Sequence, residues 1–231
     1  MPLFNATGPG MKVIGICSQK GGAGKTTLAV HLAVASQQAG YSAVILDLDP
    51  QGTAEAWGGW RKDAPPVVIS AKASNLTKML DRAREAGADL AFIDTPPFAQ
   101  ADASMAARAA DLVLIPCRPR AFDLHAIRLT ATLTQMTGKP AFALFNGGHP
   151  SATTSYAEPE EVVTAIGLQT APFKLAERAP YHQAVMTGQA AQEVEPNGKA
   201  AEEVAQLWAW LCQQIDIKTQ KRVRTKAEVK T

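Results

Sequence analysis

Cysteine is scarce in this chain: Cys17, Cys117 and Cys212 stand alone, with no CxxC pair among them. That spacing excludes a disulfide framework, a zinc site or an iron–sulfur cluster held by the cysteines of one chain, and it suits a reducing compartment. Long apolar runs are also missing. No uninterrupted segment nears the roughly 20 residues that a membrane-spanning helix needs. The opening MPLFNATGPG has no basic stretch leading into an apolar one, so an unexported, cytoplasmic protein is expected. Charge of one sign is in short supply too. The 23 Lys and Arg against 21 Asp and Glu leave a formal +2, too small an excess to mark a nucleic-acid partner by composition.

What is present is a regular alternation. The 231 residues, 46% hydrophobic and 19% charged, suffice for one substantial core. The pattern predicts one domain over 11–217, a flexible extension over 1–10 and a basic, disordered tail over 218–231. Short β-branched or apolar runs (KVIGICS, SAVILDLD, VVIS, DLAFIDTPP, DLVLIPCRP, PAFALFNGG and LQTAPF) read as strands. Between them lie segments with helical spacing, such as TTLAVHLAVASQQAG, which stops at Gly40, and NLTKMLDRAREAG. Strands that are apolar throughout and separated by helices predict a doubly wound α/β fold, its mostly parallel sheet covered on both faces. Ligands of such folds sit at the carboxyl ends of the strands. Residues 21–24, Asp47, Asp49, Asp94 and Asn146 all fall at or just past those ends.

The first strand runs into QKGGAGKTT. A strand, a glycine-rich turn and a helix starting near Lys25 aim free backbone N–H groups and a helix N-terminus at phosphate oxygens. Gly21, Gly22 and Gly24 let the backbone approach closely. Lys25 reaches β- and γ-phosphates, the Thr26 hydroxyl is a Mg²⁺ ligand, and Thr27 suits the α-phosphate. The strict GxxxxGK[ST] pattern would require glycine where this chain has Gln19, and Lys20 is an extra cation five residues ahead of Lys25.

KGGAGKTT, with DLDPQ and FIDTPP downstream, resembles the deviant Walker A, switch I and switch II motifs of the ParA/MinD family of ATPases, over most of the chain. DPQ followed by Trp57, and the compact length, are similar to small plasmid-partition ParA proteins of the ParF type. The resemblance implies that Lys20 is the signature lysine, sent across an ATP-dependent homodimer to the nucleotide of the other subunit, where it offsets phosphate charge. It implies nucleotide contacts from Lys20, Gly21, Gly22, Ala23, Gly24, Lys25, Thr26 and Thr27. Asp94, in the Walker B position, would hold Mg²⁺ through water. Asp49 would polarise the attacking water, and Asp47 would support the metal–water shell. Asn146 matches an adenine-reading asparagine, and Pro172 begins the loop expected to flank the base. Asp123 either contacts a lysine at the rim of the site or caps the following helix.

The family likeness further implies nonspecific DNA binding by the ATP dimer and a ParB- or ParG-like centromere-binding partner. The DNA candidates are Lys174, Arg178 and Lys199 near the C-terminal helices and Lys218, Lys221, Arg222 and Arg224 in the tail. VAQLWAWLCQQI presents Val204, Leu207, Trp208, Leu211 and Ile215 on one face. This helix either packs on the sheet, which leaves no stable membrane association, or lies on a membrane as in the MinD branch. His31, His125, His149 and His182 lack ligand spacing. Trp57 and Trp60 are expected to pack the segment after switch I. The reading is a partner-stimulated partition ATPase using ATP and Mg²⁺, with a MinD-like membrane-surface ATPase as its alternative.

Overall fold

The computed structural model describes residues 10–150 and 156–220. They build one seven-stranded sheet in the order β3-β2-β4-β1-β5-β6-β7, with every pairing parallel. Its strands are β1 (Lys12–Ile16), β2 (Ala43–Asp47), β3 (Val67–Ser70), β4 (Leu90–Asp94), β5 (Leu112–Cys117), β6 (Ala141–Gly148) and β7 (Gln169–Ala176). The helices between and after them are α1 (Lys25–Gln38), α2 (Thr53–Trp60), α3 (Leu76–Glu85), α4 (Gln100–Ala109), α5 (Ala121–Gln135), α6 (Ala157–Ala165), α7 (Ala179–Gln183), α8 (Ala191–Val194) and α9 (Lys199–Gln214).

The central strands are apolar on both sides because both faces are covered. Ile14, Ile16, Ile45, Phe92 and Leu114 point to the layer containing α1, α2 and α7–α9. Val13, Val44, Ile93, Val113 and Ile115, one residue out of phase, point to the layer of α3–α6. The apolar face of α9 (Val204, Leu207, Trp208, Leu211 and Ile215) is buried in the first layer, so this helix is a core element. At the end of α1, Gly40 adopts φ +86°, and Tyr41 N–H donates to Ser36 O at 2.9 Å, the αL stop expected from the sequence.

Three local readings need correction. Pro172 does not open a loop: it lies exposed inside the edge strand β7. The ladder to β6 shifts register between Ala143 and Phe145 at this point, and such an irregularity on an edge strand tolerates a residue without N–H. Asp123 is not the cap of α5, because Arg120 occupies that position and Asp123 falls in the first turn. The two tryptophans divide: Trp57 is buried and donates from Nε1 to Gln189 O at 3.1 Å, whereas Trp60 is exposed.

Candidate functional site

The order of the sheet places β1 between β4 and β5, so connections leave in opposite directions from its carboxyl end. A cleft of about 290 Å³ opens there, lined by Gly22, Gly24, Lys25, Thr26, Thr27, Asp49 and Asn146, among others. Two glycines of the turn have positive φ, Gly22 at +70° and Gly24 at +91°. At Gly24 a Cβ would also collide with the Asn146 amide, whose Nδ2 donates to Ala23 O at 2.8 Å. Glycine is therefore required at position 24 twice over, by backbone conformation and by the side chain reaching over it. Ala23 itself is buried, and Gly21 faces Phe98 and Pro97.

Lys25 Nζ donates to Lys20 O at 3.4 Å, across the turn. Burial holds the Lys25 ammonium below its usual pKa, against the opposing pull of Asp94 and Asp49. An additional anion in the cleft would favour its charged form. Thr26 Oγ1 donates to Asp94 Oδ2 at 2.6 Å. The other oxygen, Oδ1, is buried without a hydrogen-bond partner. Burial pushes the Asp94 carboxyl up to about 7. A desolvated carboxylate with one unmatched oxygen beside a threonine hydroxyl suits a hydrated divalent cation, which would supply the missing partner. Among the described residues no cluster of three or more His, Cys, Asp or Glu forms a closed metal cage. The arrangement instead resembles the open, water-rich coordination in which Mg²⁺ meets one or two protein groups and phosphate.

Asp47, expected to support a metal–water shell, is buried, and its carboxylate is engaged by backbone N–H groups. Its Oδ1 accepts from Asp49 N–H and its Oδ2 from Glu55 N–H, both at 3.0 Å. The carboxylate thereby fixes the loop that carries Asp49 and the start of α2. Asp49 in turn accepts from Gln51 N–H through Oδ1 at 3.0 Å and faces the cleft. Lys20 is absent from the cleft lining and borders a separate groove with Gln19, Phe98, Gln100, Ala126 and Leu129. The segment after β4 is tied to the glycine turn by Phe98 N–H donating to Gln19 O at 3.2 Å.

The far wall of the cleft contains residues that sequence reasoning missed. Arg118, Glu177, Tyr181 and His182 line it. Arg118 follows the end of β5, so applying the strand-end rule to that strand as well would have found it. Nothing in the local sequence announces the others. Arg178, expected on a DNA surface, is part of the same wall. It is paired with Glu203 at 2.7 Å, and that carboxylate also accepts from Tyr181 Oη at 3.1 Å. Its charge is answered within the fold. Lys174 is likewise engaged, with Glu160 at 3.1 Å and over the Tyr156 ring at 3.8 Å. Lys199 is exposed and pairs with Glu202 along the helix, and Lys218 is exposed beyond α9. Lys221, Arg222 and Arg224 lie outside the described residues.

A parallel sheet with a glycine-rich turn at its switch point, and a buried Lys–Thr–Asp constellation beneath it, defines a phosphate-loop nucleotide-binding protein. Residues 14–187 match the CobQ/CobB/MinD/ParA nucleotide binding domain. The chain belongs to that family of ParA/MinD ATPases. It is similar to Protein IncC of Escherichia coli, 30% identical over 188 residues that span 61% of this chain and 50% of that protein. It is also similar to the Maintenance of carboxysome distribution protein A of Halothiobacillus neapolitanus, 25% identical over 84% of this chain and 93% of that one. With two of the curated relatives it matches, IncC and the Gloeobacter kilaueensis carboxysome distribution protein, the chain spans about half of their length. Among solved structures, an ATP complex of Cyanothece McdA superimposes with TM-score 0.75 at 18% identity, over 94% of this chain and 100% of that one. The cell division ATPase MinD of Pyrococcus furiosus gives 0.70 at 19%, over 89% and 98%. At these identities the structures speak for the fold.

Proposed function

We propose that this chain is a ParA-type partition ATPase. It closes as a homodimer around ATP and Mg²⁺, binds DNA without reading its sequence in that state, and hydrolyses ATP when a ParB- or ParG-like centromere-binding partner completes the site. The observation that carries this reading is the gathering of Lys25, the Thr26–Asp94 pair and Asp49 at one crevice, with Lys20 bordering a neighbouring groove. The turn and the N-terminus of α1 cradle the phosphates. Lys25 meets the β- and γ-phosphates, and Thr27 the α-phosphate. Thr26 and Asp94 would hold Mg²⁺, which when bound neutralises charge on the phosphoryl group. Asp49 orients the attacking water from a loop braced by Asp47. Asn146 keeps an amide oxygen and one N–H free for the base edge, because only its other N–H is committed to Ala23.

Lys20 serves the partner's nucleotide in this scheme, so dimerisation depends on the triphosphate. Single-subunit turnover is slow, since charge on the transferring group is incompletely met until the dimer and its stimulating partner assemble. The apolar face of α9 is buried in the core and so is not available to lie on a membrane. No helix among the described residues is long and apolar enough to cross a membrane. The relatives named for carboxysome distribution leave plasmid, chromosome and protein assembly as candidate cargo.

Cosedimentation with DNA and with liposomes, in ATP and in ADP, tests the reading. ATP-dependent recovery with DNA is expected. ATP-dependent recovery with liposomes alone would transfer the chain to the MinD-like alternative. Lys20→Ala should abolish the ATP dimer yet leave ADP binding, and Asp49→Ala should keep the dimer on DNA without release by hydrolysis.

A further inference from the structure

The far wall of the cleft is tied to α9 by a single side chain. Glu203 Oε1 accepts from Arg178 Nε at 2.8 Å and lies 2.7 Å from Arg178 Nη2. Its Oε2 accepts from Ala176 N–H, at the end of β7, at 3.1 Å. Tyr181 Oη, in α7, reaches the same oxygen at 3.1 Å. These donors together fill the acceptor capacity of one carboxylate. The Glu203 and Arg178 side chains are 16% and 23% exposed, so water and salt screen the pair less than they would on an open surface. The carboxylate thereby fixes the connection from β7 into α7, and Arg178 is the residue that precedes α7.

Arg178 and Tyr181 share the lining of the cleft with Asn146. The phosphate turn follows β1, and beyond β1 the sheet continues through β5 and β6 to β7. The end of β7 therefore stands three strand spacings, about 14 Å, from the turn. That distance sets the wall apart from the phosphates and alongside what the phosphates carry. Charge makes the same distinction. A guanidinium already balanced by Glu203 gains less from a phosphate than an unpaired cation would. Its Nη1, which has no protein partner among the described residues, still offers N–H groups to a neutral acceptor. We propose that Glu203 is a positioning residue for the nucleoside end of this cleft: it holds the guanidinium of Arg178 so that Nη1 donates to a neutral oxygen or nitrogen of the bound nucleoside. The proposal deepens the nucleotide reading above and rests on it. It adds a residue of the last helix, which no motif around the phosphate turn announces.

Calorimetric titration of the full chain with ADP and with inorganic pyrophosphate, each with Mg²⁺, separates the two ends of the cleft, because pyrophosphate carries the same two phosphates without a nucleoside. Glu203→Gln keeps the shape of the side chain but cannot balance the guanidinium. It should weaken ADP binding about tenfold, the scale of one or two hydrogen bonds, and leave pyrophosphate binding unchanged. Arg178→Lys retains a charge for Glu203 but loses the planar fork. It should show the same selective loss, and it decides the matter if the first variant does not fold. Equal weakening of ADP and pyrophosphate would make Glu203 a general support of the fold, and unchanged ADP affinity in either folded variant would detach the pair from the nucleoside; each result overturns the proposal. If the unaltered protein binds ADP no more tightly than pyrophosphate, the wall takes no part in binding and the proposal fails while the phosphate turn stands. Binding of neither ligand would bring down the nucleotide reading itself, and this proposal with it.

Discussion

Acid should weaken this protein through one residue on the phosphate-loop helix. His31 is 1% exposed, and its Nδ1 lies 2.7 Å from Thr27 O. Its Nε2 accepts from Ala191 N–H at 3.1 Å. Those partners fix a neutral ring, with the proton on Nδ1 and the lone pair on Nε2. A second proton would leave Nε2 facing a donor and place a charge in the core. Burial accordingly holds the His31 pKa down, from 6.5 to about 4. Above pH 6.5 the ring is neutral in both folded and unfolded chains, and its linkage is flat. As pH falls from 6.5 toward 4, the unfolded chain takes up a proton that the folded one refuses, so stability declines; below 4 the loss levels off. A difference near 2.5 pH units corresponds to about 3.4 kcal/mol. The measurement is denaturant unfolding of nucleotide-free protein from pH 8 to 4, compared with His31→Gln, whose side chain does not titrate. The wild type should lose about 3 kcal/mol more than the variant across that window. Subtracting the two removes the opposing contributions of carboxylates such as Asp94. Parallel curves for the two proteins would refute the assignment of a buried neutral imidazole.

Glu193→Ala removes the carboxylate paired with Arg61, whose side chain is 6% exposed, and leaves Ala190 N–H without its acceptor. Arg61 keeps the Ala64, Pro65 and Gly188 carbonyls, so a loss of about 1.5–3 kcal/mol is expected, and thermal unfolding should fall by roughly 5 °C. A change within experimental scatter would mean that water replaces the carboxylate. Gly24→Ala forces an L side chain into φ +91° and against the Asn146 amide. Calorimetry should show nucleotide binding lost, with stability lowered by at least about 1 kcal/mol. Asp94→Asn separates stability from function. The carboxyl is raised from 3.8 to about 7, so the folded apo protein is penalised increasingly as pH rises through that range. The amide escapes this cost, and the variant should unfold later than wild type at pH 8 while losing Mg²⁺-dependent ATP binding.

The sheet and the phosphate turn could be read from the residues alone. Each strand of a parallel sheet is buried on both sides, so it is written as a continuous apolar run, and KVIGI, AVILD, LAFID and LVLIPC are visible as such. The turn is equally legible, because positive φ and close approach demand glycine at fixed offsets from Lys25 and Thr26. Pro172 was misplaced because a strand that continues through a proline needs a register shift against its neighbour, and a register shift belongs to two strands. Asp47 looked like its neighbour Asp49. Both accept backbone N–H groups, and only the path of the loop decides that Asp49 lines the cleft.

Local composition thus determined which segments extend, which coil and where the glycine-rich turn falls, since each depends on residues a few positions apart. The tertiary structure alone decided how distant charges are matched. Arg178 meets Glu203, Arg61 meets Glu193, and His31 is held neutral by a backbone amide 160 positions away. A cation reads the same in sequence whether it faces DNA, a nucleotide or an internal carboxylate. Its role is set by what the fold brings within hydrogen-bond reach, and chain spacing carries no record of that.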